Sequence, residues 1–204
     1  MIVAIARELG AGGRSVGDAV AAALRIPLLD NEIVNLVAQR IGAPASYVAE
    51  RDEQPESFTE RVLRGITAAY PESLSSQGLP DWSEERLVEL TETIIKERAA
   101  SESIVVIGRG APILLKDRPD VVRVFVTAPQ ADRVARIERR LGLSADEALK
   151  ELRKSDQHRG EYFKEFYNVV DWRDPRHYDL VVNTARFGIE GAAKLVVEAA
   201  RSVE

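Results

Sequence analysis

Five short apolar runs, most of them rich in valine and isoleucine, punctuate this chain: Ile2–Ala6, Ile26–Leu29, Ile104–Ile107, Val121–Thr127 and Leu180–Asn183. Each is too short to stand as an independent helix, and stretches with helical spacing separate them. Val16–Leu24 is alanine-rich. Asn31–Ile41 sets Ile33, Val34, Val37 and Ile41 at helical spacing, and Glu84–Arg98 does the same with Leu87, Leu90, Ile94 and Ile95. Asp132–Leu141, Ser144–Lys154 and Ile189–Ser202 follow the same period. Strands alternating with helices predict an α/β domain built on a parallel sheet.

The 204 residues suit one domain. The interval 31–103, between the second and third runs, is long and contains the turn-rich pieces Tyr70–Ser73 and Gly78–Asp81. It reads as a helical insertion within a single domain spanning 1–204. No internal repeat interrupts it. The absence of cysteine excludes disulfide scaffolds, thiolate zinc sites and cysteine nucleophiles. His158 and His177 are the only histidines; neither has an assignable carboxylate and nucleophile partner, and both read as ordinary residues. No residue set suggests a metal cage.

No apolar run approaches the ~18 residues of a membrane span. The N-terminal residues read as a strand and not as a secretion segment, so a cytoplasmic protein without a membrane partner is expected. The net charge of −5 argues against a nucleic-acid polymer as partner. That charge is uneven: residues 51–100 hold 6 Lys/Arg against 11 Asp/Glu, whereas 132–160 hold 8 against 6. A locally basic, arginine-rich segment in an acidic chain points to a small anionic ligand.

The first strand runs into Glu8-Leu9-Gly10-Ala11-Gly12-Gly13-Arg14-Ser15, which opens a helix. Three glycines let successive backbone N–H groups converge, and a helix N-terminus adds partial positive charge, a combination that suits phosphate. Against the pattern G-x-x-x-x-G-K-[ST], Gly13 and Ser15 match, Glu8 stands at the first glycine and Arg14 at the lysine. Arg14 keeps the charge and gains a two-donor fork. Ser15 offers a hydroxyl to magnesium. The same residues approach the dinucleotide fingerprint, with Gly10, Gly12 and Ser15 in the loop and Asp30 about twenty residues on, where a ribose carboxylate would sit. That alternative stays open here.

Gly108-Arg109-Gly110 directly follows the third run, and a residue just past the carboxyl end of a parallel strand faces the binding crevice. Arg133, Arg136 and Arg140 recur at i, i+3 and i+7 and so share one helix face. They precede Gly142-Leu143-Ser144, a break able to hinge a lid. Asp156 and Arg159 stand three apart, spaced either to pair with each other or to offer a carboxylate to a sugar and a guanidinium to a phosphate. Tyr162–Tyr167, which concentrates four aromatic residues, reads as packing.

Taken together, the chain resembles the cytidylate kinase-like family, a branch of the P-loop nucleoside monophosphate kinases. The likeness rests on Ala6–Gly17, Pro27–Asp30, Ile107–Gly110, Ser155–Arg159, Tyr178–Thr184 and Gly188–Ala192. It implies a three-layer P-loop kinase fold with a five-stranded parallel sheet, a helical insertion that grips the acceptor and an arginine-bearing lid over 133–160. It implies ATP and Mg2+ as cofactors and a small-molecule phosphate acceptor, CMP or dCMP by family default. Gly10, Ala11, Gly12, Gly13, Arg14 and Ser15 would hold the donor phosphates, with Ser15 on the metal. Arg133, Arg136 and Arg140 would lie at the lid and nucleotide side. Asp30 and Arg109 would face the acceptor, Asp156 its sugar and Arg159 its phosphate. Arg14, Arg109 and Arg159 would act on the transferring group. A non-catalytic nucleotide-binding module and a dinucleotide-dependent oxidoreductase are the alternatives, and a homo-oligomer is compatible with each of the three readings. If the loop works on donor phosphates, Arg14→Ala abolishes ATP-dependent transfer while far-UV circular dichroism is unchanged; normal turnover in that variant would sink the assignment.

Overall fold

The computed structural model describes residues 1–30, 32–40 and 84–203. Strands β1 (Ile2–Arg7), β2 (Leu28–Leu29), β3 (Ile104–Ile107), β4 (Val121–Thr127) and β5 (Leu180–Asn183) form one parallel sheet in the order β2-β3-β1-β4-β5. All five apolar runs therefore become strands, although the second contributes only two residues. β1 lies at the centre, paired with β3 from Ile2↔Ile104 to Ile5↔Ile107 and with β4 from Ile2↔Val121 to Arg7↔Val126.

Side chains alternate across β1, so its two faces feed two cores. Val3 and Ile5 pack with Val105, Ile107, Val122 and Val124 under helices α1 (Gly13–Leu24) and α7 (Thr184–Arg201), which supply Val16, Val20, Val196 and Val197. Ile2 and Ala4 face the opposite layer, with Ile104, Val106 and Val121. That layer is built from α2 (Glu32–Arg40), α3 (Glu84–Ser101) and the short α4 (Ala111–Leu114), through Ile33, Val37, Leu87, Ile94, Ile95 and Ala111. Runs such as Ile104–Ile107 are buried throughout because helices cover both faces, which explains why they are continuous and not alternating.

α2 and α3 carry the periodicities expected at either end of the interval 31–103. The turn-rich pieces around 70–81 lie outside the described residues. Beyond β4, α5 (Gln130–Leu141) and α6 (Ala145–Tyr167) form a helical hairpin. Gly142 ends α5 in the left-handed conformation, and Ser144 begins α6 with a reciprocal capping box to Glu147. The sequence pattern predicts that this second helix ends near Lys154. It runs on to Tyr167 instead, because Phe163 is buried against Phe125 and Trp172 and holds the last turns to the sheet. One 3-10 turn, Pro175–His177, precedes β5. No helix of the described residues is long and apolar enough to cross a membrane.

Gly17 sets how closely α1 sits on the sheet: a Cβ there would fall inside contact distance of Ile107 Cδ1. Alanine in a helix interior gains about 1 kcal/mol over glycine, whereas overpacking a close-packed core costs about 1–3 kcal/mol. Gly17→Ala is therefore expected to lower stability by about 1 kcal/mol in urea unfolding. In an Ile107→Val background, which deletes the clashing methyl, the same change becomes neutral or stabilising. A stabilising effect in the unaltered chain would contradict this packing account.

Candidate functional site

Every polar group singled out by the sequence lies at or beyond the carboxyl ends of the strands, where parallel sheets bind ligands. The loop after β1 turns through Gly10 and Gly12, at φ 77° and 78°, into the first turn of α1. Side chains rarely adopt that conformation, and space is also closed: a Cβ on Gly10 would stand 2.7 Å from the Arg133 carbonyl oxygen, and one on Gly12 2.5 Å from Ile189 Cδ1. The amides of Gly13, Arg14 and Ser15 occupy the first turn and have no intrahelical acceptor. Arg14 and Ser15 are both exposed. Asp30, at the end of β2, is buried, and its Oδ2 lies 3.7 Å from Arg14 Nη1.

Five polar or charged residues are buried among the described ones: Glu8, Asp30, Thr91, Arg133 and Thr184. Thr91 donates to its own helix at Leu87 O. The other four surround the glycine loop, so polar burial is concentrated around the segment where the sequence pattern leads one to expect phosphate. Glu8 Oε2 accepts from Thr127 Oγ1 at 2.6 Å. Glu8 Oε1 meets Arg133 Nη1 at 3.0 Å and Arg173 Nε at 2.8 Å. Arg133 Nη2 donates to both oxygens of Asp156 at 2.8 Å, while Arg173 Nη2 meets Asp156 Oδ2 at 2.7 Å. Two carboxylates and two arginines thus close a ring that joins the loop, α5, α6 and the segment before β5. Arg133 Nε also donates to Leu9 O at 2.8 Å. On the far side of the loop, Arg136 Nη1 donates to Gly10 O and to Thr184 Oγ1, and Thr184 Oγ1 donates to Ala11 O at 2.6 Å.

Arg133, Arg136 and Arg140 share a stripe, as their spacing predicts, but their environments divide them. The guanidiniums of Arg133 and Arg136 turn inward and hold the loop's own carbonyls and carboxylate. Arg140 is exposed near the hairpin tip. Asp156, a candidate for a sugar hydroxyl, has both oxygens engaged by arginine. The spacing allows Asp156 to pair with Arg159, but its ion-pair partners among the described residues are Arg133 and Arg173.

Arg159, one turn further along α6, carries Cζ 5.3 Å from the centre of the Trp172 ring, and Arg173 Cζ lies 4.6 Å from it. Its Nη1 is enclosed and has no hydrogen-bond partner among the described residues. Burial, then the positive charge of Arg7, pushes the Arg159 pKa below the usual arginine value; Asp156 opposes this, and Arg133 and Arg173 add to it. Arg109, at φ 55°, sits between two glycines whose missing side chains make room for neighbours: the Arg7 guanidinium lies across Gly108, and the Tyr167 ring lies against Gly110. The Tyr167 hydroxyl donates to Arg109 O at 3.0 Å. Burial pushes the Tyr167 hydroxyl pKa upward, which keeps it a donor.

The strand order bears on the dinucleotide alternative. In that unit the second strand lies beside the first, whereas here β3 stands between β1 and β2. A model of the cytidylate kinase-like family matches residues 2–186. The chain belongs to the cytidylate kinase-like family. Similar proteins include the cytidylate kinase of Methanocaldococcus jannaschii, 34% identical over 106 residues, which are 50% of this chain and 58% of the relative. That of Thermococcus kodakarensis is 30% identical over 100 residues, 49% of this chain and 50% of the relative. The chain spans about half the length of the curated relatives it matches. Among solved structures, an uncharacterised protein of Eubacterium ventriosum is similar over 99% of both chains with a TM-score of 0.72 and 22% identity. A shikimate kinase of Bacteroides thetaiotaomicron is similar over 98% of both, with a TM-score of 0.57 and 16% identity. The fold is the three-layer α/β architecture of these P-loop kinases.

Arg7, Arg173, Thr127 and Thr184 were not legible as site residues from spacing. One signal was available: Glu8 places a negative charge inside a phosphate-type loop, and such a charge needs a buried counter-charge. Removing one partner of a buried ion pair costs about 3–5 kcal/mol because the remaining charge stays buried. Arg133→Met should therefore destabilise the protein by about 3 kcal/mol in urea unfolding, while Arg140→Ala, on the same stripe but exposed, should stay within about 0.5 kcal/mol. Equal effects would show that the ring contributes nothing special.

Proposed function

We propose that this family member transfers a phosphoryl group from ATP, with magnesium, to a nucleoside monophosphate. CMP and dCMP are the first acceptors to consider, because the relatives named above are cytidylate kinases. The observation that carries the reading is Arg159: an enclosed guanidinium nitrogen without a hydrogen-bond partner among the described residues, crowded by the like charge of Arg7, Arg133 and Arg173. A buried cation in that state favours an incoming anion.

Phosphoryl transfer needs alignment and charge neutralisation more than covalent chemistry. In this reading the amides of Gly10, Ala11, Gly12, Gly13, Arg14 and Ser15 bind the donor phosphates, and the Arg14 guanidinium clamps them. Asp30 orients Arg14 from the acceptor side. Arg159 and Arg109 bind the acceptor phosphate and the group in flight. The exposed Ser15 hydroxyl fits magnesium held jointly with phosphate oxygens, since among the described residues no cluster of three or more His, Asp or Glu could hold a metal. Magnesium, when bound there, would supply charge neutralisation on the donor phosphates. The α5–α6 hairpin serves as the lid, its exposed Arg140 closing on the nucleotide, and closure excludes water.

The test is ADP release from MgATP across a panel of nucleoside monophosphates and other small phosphorylatable metabolites. At least one acceptor should stimulate release, and Arg159→Ala should raise the KM of that acceptor roughly tenfold or more with the KM for ATP little changed. A panel without an active acceptor would overturn the reading; ATP binding in that case would identify a nucleotide-binding module.

A further inference from the structure

The phosphate-type loop of this protein contains a buried carboxylate, at a position where the loop pattern has glycine. Glu8 is 6% exposed, and three donors hold it: Thr127, Arg133 and Arg173. Anions bound in the loop would be repelled by this charge, so its presence requires an explanation. The ring supplies one. Arg133 and Arg173 are long and mobile cations unless fixed, and each is fixed by the same two carboxylates, Glu8 and Asp156. Arg133 in turn holds the Leu9 carbonyl, one residue before Gly10. Without Glu8, each guanidinium keeps only Asp156 as a counter-charge, which frees the donors that Glu8 held, Arg133 Nη1 and Arg173 Nε, for any anion that enters, and loosens the support beneath the loop.

We infer that Glu8 is a positioning residue, whose carboxylate acts as a fixed counter-charge that keeps Arg133 and Arg173 off the bound phosphates and holds the glycine loop in register for transfer. The inference rests on the proposed reading of the loop as a donor-phosphate site. It separates two quantities that usually move together. Neutralising Glu8 raises the attraction of the site for a bare anion and lowers productive turnover. A side chain with a merely structural role would weaken both.

The experiment compares the unaltered protein with Glu8→Gln and Glu8→Asp, measuring inorganic phosphate affinity by calorimetry at low ionic strength and turnover with MgATP and the best acceptor. Glu8→Gln should bind phosphate roughly fivefold more tightly while kcat/KM for ATP falls roughly a hundredfold. Glu8→Asp, which keeps the charge but shortens the reach, should bind phosphate as the unaltered protein does and recover part of the turnover. Unchanged or weaker phosphate binding in Glu8→Gln overturns the inference, as does unchanged turnover. If the unaltered protein transfers nothing to any acceptor, the proposed function fails and the phosphate arm alone decides for Glu8. If Glu8→Gln does not fold by circular dichroism, Glu8→Asp decides: reduced turnover at unchanged phosphate affinity supports the role, and any other pattern overturns it.

Discussion

The ring of Glu8, Arg133, Asp156 and Arg173 is the interaction on which the remaining geometry depends. Glu8 and Arg133, both buried, would each be costly to enclose alone, since removing an ion from water costs several kcal/mol even after relaxation. Enclosure becomes tolerable because each carboxylate meets two guanidiniums, and each guanidinium two carboxylates. These four residues come from positions far apart in sequence. The ring therefore forms only when the central strand, the α5–α6 hairpin and the segment before β5 have all docked.

Around the ring the structure separates two kinds of arginine. Arg133 and Arg136 face inward and act on the protein's own backbone and carboxylates. Arg14 and Arg140 face solvent. Arg159 lies between these extremes, half-buried, with an Nη1 that has no hydrogen-bond partner among the described residues. Trp172 links the groups: it is buried, packs edge-on against Phe125, and offers its ring to both Arg159 and Arg173. The aromatic cluster thus keeps the basic residues ordered as well as closing the core at the end of the sheet.

Much of the fold was legible because its signals are local. Four of the five strands were read almost to the residue, since a buried parallel strand is a short continuous run of Val and Ile and little else produces that pattern. Ile26–Leu29 is longer than the strand because apolar character alone does not report pairing, and only Leu28 and Leu29 pair in register with β3. The end of α6 was missed for a related reason: Asp156–Arg159 and the aromatics after Gly160 carry no simple helical stripe, and tertiary packing of Phe163 fixes that half of the helix. In the site, the glycine loop and the positions of Asp30 and Arg109 at strand ends could be read from the chain. The inward turn of Arg133 and Arg136 could not. A stripe of arginines has the same spacing whether it faces water or a buried carboxylate, and the partner, Glu8, is more than a hundred residues away.

The two glycines flanking Arg109 have a consequence for how such a chain can diverge. Gly108 leaves the space that the Arg7 guanidinium crosses, and Gly110 the space that the Tyr167 ring fills. Each glycine therefore answers to a side chain supplied by another element, β1 in one case and α6 in the other. A lineage that lost the arginine or the tyrosine would release its glycine from constraint, while a lineage that first gained a side chain at either glycine would have to surrender the partner. The historical order of substitutions is thereby restricted: the large residue must shrink before the small one can grow.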